Sequence, residues 1–149
     1  MRATIYLNIG TNSGDRRAFI ARAVAALFAS PAFAGASWHL SAPVLSEPWG
    51  YESDNTFINI GLSATLVRSG AWSADSLHAL LDATQAIERS LSAMPHRHSD
   101  GSYADREIDI DIIAVDAVRL RTPRLTLPHP RAHLRPFVAG PLADLGGSV

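Results

Sequence analysis

The chain has 149 residues, 47% of them apolar, a formal net charge of -1 and no cysteine. That length suits one compact domain spanning 1–149, able to bury about two thirds of the surface its unfolded form exposes. The near-neutral charge argues against a protein that coats nucleic acid through many phosphate contacts, and the lack of cysteine excludes a disulfide scaffold or a zinc ribbon and fits a cytoplasmic protein.

Residues 4 to 9 alternate, with Ile5, Leu7 and Ile9 on one face and Thr4, Tyr6 and Asn8 on the other, the pattern of a half-buried strand. Gly10 to Asp15 form a turn able to cap a helix that runs to about Ala29, where Pro31 and Gly35 end it. Phe19, Ala23, Val24, Leu27 and Phe28 give that helix its amphipathic spacing. The same stretch imitates an export signal, with Arg16, Arg17 and Arg22 ahead of an Ala-rich run, but Arg22 interrupts the run and a strand precedes it, so a first helix is expected. No apolar run approaches the roughly 20 residues of a membrane span.

A second strand is predicted from Trp38 to Leu45, then a loop rich in turn residues that includes Pro48, Gly50, Ser53, Asp54 and Asn55. Thr56 to Val67 reads as a third strand, with Ile58, Ile60, Leu62, Ala64 and Leu66 opposite Phe57, Asn59, Gly61, Ser63 and Thr65. Ser73 caps a second helix in which Leu77, Leu80, Leu81, Thr84, Ile87 and Leu91 recur at helical spacing, while Gln85 and Glu88 share a neighbouring face. After a polar loop from Met94 to Asp105, Glu107 to Val115 makes a fourth strand.

The order strand, helix, strand, strand, helix, strand predicts an α+β fold with a ferredoxin-like βαββαβ core. Both helices cover one face of an antiparallel sheet, leaving Tyr6, Asn8, Phe57, Asn59, Asp109 and Asp111 on the other. The tail from about Val118 is read as a short C-terminal extension that adds irregular structure there.

The sharpest chemical signal is Arg106-Glu107-Ile108-Asp109-Ile110-Asp111. Period two puts both Asp carboxylates on one strand face, roughly 7 Å apart. Asp is disfavoured in strands and like charges repel, so a cation between them offsets the cost, and hard carboxylate oxygens beside ATP phosphates are the usual way to hold Mg²⁺. The competing reading is a solvated strand face. All 13 basic residues are Arg, which reflects composition bias, although the planar guanidinium also suits paired bonds to phosphate. Arg97, Arg106, Arg124, Arg131 and Arg135, with His129, form a potential polyphosphate clamp or a set of ordinary surface residues. Phe57 and Asn59 offer an aromatic face and an amide to a flat heterocycle, unless Phe57 simply packs in a core. Gly10-Thr11-Asn12 reads as a turn first and an anion site second.

In seven segments the chain resembles the hydroxymethyldihydropterin pyrophosphokinase family. They are Ile9-Gly10-Thr11-Asn12, Glu47-Pro48-Trp49-Gly50, Phe57-Ile58-Asn59, Thr84-Gln85-Ala86-Ile87-Glu88, Arg106 to Asp111, Leu125-Thr126-Leu127-Pro128-His129 and Arg135-Pro136-Phe137. The resemblance implies transfer of pyrophosphate from ATP to a reduced hydroxymethylpterin in folate synthesis. It implies that Asp109 and Asp111 hold two Mg²⁺ ions, that Gln85, Glu88, Ile112, Arg124, Thr126 and His129 contact ATP, and that Arg106 and Arg135 bind phosphates. Pro48, Trp49, Phe57, Asn59 and Phe137 match the pterin pocket. ATP and the reduced pterin are the expected partners, with no nucleic acid or membrane, and the protein is expected to act as a monomer.

The chain departs from the family pattern between Glu88 and Arg106, where the connection is longer and the usual Gly-Arg-x-Arg is absent. Arg97, the one Arg between Arg89 and Arg106, is expected to take the catalytic role of those arginines. Tyr103-Ala104-Asp105 stands where Trp-Gly-Pro is usual, and Glu47 where Pro is usual. Two other readings follow: a diverged pseudoenzyme that binds nucleotide and Mg²⁺ without efficient transfer, and a non-catalytic ferredoxin-like binding module.

Overall fold

The computed structural model describes residues 1–12, 15–46, 56–92 and 108–146, with the backbone alone at His133 and Phe137. In chain order the elements are β1 (Arg2–Thr11), α1 (Arg16–Ala29), β2 (Ser37–Leu40), β3 (Val44–Ser46), β4 (Phe57–Val67), α2 (Ala74–Ser92), β5 (Asp109–Val115), β6 (Leu120–Arg121), β7 (Thr126–Leu127) and α3 (Pro136–Asp144). β1 lies between β4 and β5, antiparallel to both, and β2 and β3 share the outer edge of β4. This is the ferredoxin-like arrangement predicted from the element order.

The predicted second strand is divided. Leu40 pairs with Leu62, but pairing resumes only at Val44 with Asn59, one residue out of phase. Pro43 has no N–H to give to a ladder. At the break the Ser41 N–H donates to the Gly61 carbonyl, and the Ser41 hydroxyl takes the place of a backbone acceptor for the Gly61 N–H, each at 2.8 Å.

The two long helices begin on side-chain caps. Asp15 accepts from the Ala18 N–H at 3.1 Å, and Ser73 and Ser76 exchange bonds, each hydroxyl accepting from the other's N–H at 3.0 and 2.8 Å. That reciprocal pair satisfies two donors which the first turn of a helix leaves without intrahelical partners. α1 buries Phe19, Ala23 and Leu27, and α2 buries Leu77, Leu80, Thr84 and Ile87, against Ile5, Leu7, Ile9, Leu62, Ile110 and Ile112 of the sheet. Phe28, expected on the buried face, is half exposed and instead lies against Trp38, with ring centroids 5.1 Å apart.

The opposite face is partly roofed. The tail expected to be irregular forms the β6–β7 hairpin and then α3, whose Val138 and Leu142 join Ile113, Ala132 and Tyr6 in a second apolar cluster. Gly61 admits this helix: a Cβ there would stand 2.9 Å from the Cβ of Pro141 and 3.4 Å from a Leu145 methyl. A bulge assists. Tyr6 pairs with Ala114 but Leu7 with Ile112, so Ile113 is the extra residue, and beyond it the alternation changes phase so that Val115 rejoins the helix-side core.

Candidate active site

Two rows of residues cross the three central strands on the face away from α1 and α2. In one, Asn59 of β4 is opposite Gly10 of β1, which is opposite Asp109 of β5; in the next, Gly61 is opposite Asn8, which is opposite Asp111. Neighbouring strands lie about 4.8 Å apart, so an amide and a carboxylate stand about 10 Å apart across a glycine floor.

The amide end is fixed. Asn59 is buried, and its Nδ2 donates to the Ser46 hydroxyl at 2.8 Å and to the Val44 carbonyl at 3.3 Å. β3, paired to β4 after Pro43, therefore holds the amide. A Cβ on Gly10 would stand 2.9 Å from Asn59 Oδ1 and 3.5 Å from Phe57 Cδ1. Both predicted heterocycle-binding side chains thus lean over Gly10. Phe57 is half-buried. Gly10 reads from the sequence as a turn residue but lies inside β1, and the signal for it is a glycine in a strand, which marks close approach of other groups.

At the carboxylate end, Asp109 and Asp111 are partly exposed on one face of β5, as period two requires. Their hard oxygen donors fit Mg²⁺, which commonly takes one or two carboxylates and completes its shell with water and substrate phosphates. Among the described residues no cluster of three or more His, Cys, Asp or Glu could enclose a metal by itself. A cation held by these two carboxylates would take the rest of its shell from other oxygens, water and phosphate among them.

α2 lines the free edge of β5. Glu88 accepts from the Ile110 N–H at 2.9 Å, so this predicted nucleotide contact also caps the edge strand. By the period of two, the backbone groups of Ile112 face the same free edge, while its side chain is in the core. Any ligand contact of Ile112 is a backbone contact. Gln85 Oε1 is 3.5 Å from the Arg124 guanidinium, which also pairs with Asp82. Asp82 was not among the predicted residues; it sits one α2 turn before Gln85 and is visible only once the β6–β7 hairpin is folded against the helix. Thr126 pairs with Arg121 in that hairpin.

His129 lies two residues past the end of β7. Its N–H donates to the Ile113 carbonyl at 2.7 Å, and its Nδ1 accepts from the Arg131 N–H at 3.2 Å. The neutral ring consequently carries its proton on Nε2. Burial, then the charges of Arg135 and Arg131, hold its pKa below the ordinary 6.5. Arg135 ends the 3-10 turn Ala132–Leu134 and leads into α3. The backbone of Phe137 enters α3; its side chain, and Pro48, Trp49, Arg97 and Arg106, lie outside the described residues.

A family model described as 7,8-dihydro-6-hydroxymethylpterin-pyrophosphokinase matches residues 6–147. The chain belongs to this family. It is 38% identical over 144 residues to the 2-amino-4-hydroxy-6-hydroxymethyldihydropteridine pyrophosphokinase of Porphyromonas gingivalis, covering 96% of this chain and 90% of that one. It is 31% identical over 140 residues to the enzyme of that name from Methylorubrum extorquens, covering 94% and 80%. The enzyme of that name from Bacillus subtilis is 30% identical over 145 residues, covering 97% and 79%. The matched span contains every candidate site residue named from the sequence. No helix among the described residues is long and apolar enough to cross a membrane.

Proposed function

We propose that the protein transfers the pyrophosphoryl group of ATP to the hydroxymethyl group of 6-hydroxymethyl-7,8-dihydropterin, a step of folate synthesis. The pterin hydroxyl oxygen bonds to the β-phosphorus, the bond from that phosphorus to the α,β-bridging oxygen breaks, AMP leaves, and the hydroxyl proton is released. The products are the pterin diphosphate and AMP. No covalent enzyme intermediate is needed.

The observation that carries this reading is the row Asn59–Gly10–Asp109. It sets a buried amide and a partly exposed carboxylate on either side of a floor with no side chain, which suits a heterocycle at one end and a cation at the other. Asn59 and Phe57 take the pterin, with Pro48, Trp49 and Phe137 as further members of that pocket. Gln85, Glu88, the Ile112 backbone, Arg124 and Thr126 take ATP along the free edge of β5. Arg106, Arg135 and His129 meet the phosphates, the last through the Nε2 proton its neutral tautomer presents, and Arg97 contributes charge at the transferring group.

Asp109 and Asp111 hold two Mg²⁺ ions, which supply charge neutralisation and orient the phosphates when bound. Positioning and preorganised charge account for the acceleration. We read the protein as a monomer of the cytoplasm. AMP formation that requires both Mg²⁺ and the reduced hydroxymethylpterin tests the proposal; ATP turnover indifferent to the pterin would refute it.

A further inference from the structure

Asn8 has no place in the scheme above. It is 4% exposed, and its carboxamide oxygen is buried without a hydrogen-bond partner among the described residues. Leaving such an acceptor dry costs the full desolvation of the group with no bond in return. The position does not demand a polar side chain for the fold, since Tyr6 on the same face packs in an apolar cluster and Gly61 alongside is roofed by Pro141 and Leu145. On its other side Asn8 is directly opposite Asp111.

We infer that Asn8 is a further positioning residue of the metal–phosphate site, its Oδ1 accepting a hydrogen bond from the water shell of the divalent cation at the Asp111 end. This rests on the reading of Asp109 and Asp111 as cation ligands. The missing partner must be a donor. An ionised polyphosphate has no proton to give, and the pterin N–H groups belong to the Asn59 row, two residues along β1. Mg²⁺ gives up its water reluctantly, so waters at a two-carboxylate site bring donors that need acceptors. Partners of this outer kind orient the inner ligands and influence affinity strongly.

The test is Mn²⁺ binding followed by electron paramagnetic resonance, with α,β-methylene-ATP present, on wild type, Asn8→Ala, Asn8→Asp and Asp111→Asn, alongside binding of the same nucleotide in EDTA. Asn8→Ala should weaken Mn²⁺ about tenfold, at the low end for outer-partner loss, and leave metal-free nucleotide binding unchanged. Asn8→Asp, which keeps an oxygen acceptor, should bind Mn²⁺ at least as well as wild type, and this holds the inference to account if the Ala variant folds poorly. Equal losses with and without metal would make Asn8 a packing residue under α3 and overturn the inference. Weakened Mn²⁺ binding in Asn8→Asp would mean that the amide acts as a donor, and would overturn it too. Unchanged Mn²⁺ binding in Asn8→Ala, with loss in Asp111→Asn, overturns the inference alone; no loss in Asp111→Asn removes the carboxylate reading with it.

Discussion

β1, β4 and β5 each present one row of side chains to α1 and α2 and another to the opposite face, and the two rows are built on different terms. On the helix side, Ile5, Leu7, Ile9, Leu62 and Ile112 are almost wholly buried among apolar neighbours, and each contributes about 1.5–3 kcal/mol by leaving water. On the other side Asn8 and Asn59 are buried just as deeply, yet they are polar, and two carboxylates stand beside them. Burying polar groups returns little net stability even when they are hydrogen-bonded. One face of each strand stabilises the fold, and the other spends some of that stability on groups suited to ligands.

The comparison breaks most visibly with substitutions on opposite faces of adjoining strands. Asp111→Ala or Asp109→Ala should lower turnover by at least about 10²-fold, the scale for losing one contact to developing charge, while the melting temperature stays near that of wild type. Leu7→Ala should do the reverse, costing about 2–5 kcal/mol of stability with normal turnover per folded molecule. Thermal melts paired with AMP formation separate the two. Wild-type turnover in either Asp variant at limiting Mg²⁺ would remove the metal assignment.

A smaller effect is expected from Gly10→Ala. The new methyl would meet Asn59 Oδ1 at 2.9 Å, and that amide is restrained by Ser46 and Val44. Pterin affinity should fall on the order of tenfold, the result of about 1–3 kcal/mol of crowding, with ATP affinity little changed. Gly70→Ala is the control, because a Cβ there meets nothing within 4 Å. Calorimetry with each ligand reads the difference, and equal losses for ATP and pterin would mean that the sheet had been distorted. Asn59→Ala and Phe57→Ala should show the same selectivity for pterin.

How much of this was legible in the sequence depended on whether the signal was local. Period-two alternation placed Ile5, Leu7 and Ile9 together and put Asp109 beside Asp111, because a strand fixes which side chains share a face. Cross-strand register is not local, so in the sequence the row Asn59–Gly10–Asp109 is only three separate motifs, and Gly10 reads as a turn residue. Asp82 and Ser46 acquire their roles from partners 42 and 13 residues away. The tail from about Val118 reads as irregular, yet α3 forms there: Pro136 sits in the first turn, where no N–H is needed, and the helix runs on through Pro141 as it packs over Gly61.

The smallest expected effect concerns pH and comes from the site side of the molecule. The His129 pKa lies below the ordinary 6.5 because burial and the charges of Arg135 and Arg131 disfavour the protonated ring. The Arg131 N–H acts in the same direction, since Nδ1 can accept from it only while unprotonated. As pH falls below 6.5 the unfolded chain takes up this proton before the folded one does, so His129 draws stability down from there until the folded-state pKa is passed. Above 6.5 its contribution is constant. His129→Gln keeps a polar side chain but cannot titrate, so its melting temperature should fall less than that of wild type between pH 7.5 and the acid side of 6.5. Parallel curves would show that the ring titrates alike in both states. ATP should act in the opposite direction: phosphate charge near the ring favours its protonated form, so nucleotide binding near pH 6 should draw in protons. Calorimetry in two buffers of different ionisation enthalpy measures that uptake, and its loss in His129→Gln would assign it to this ring.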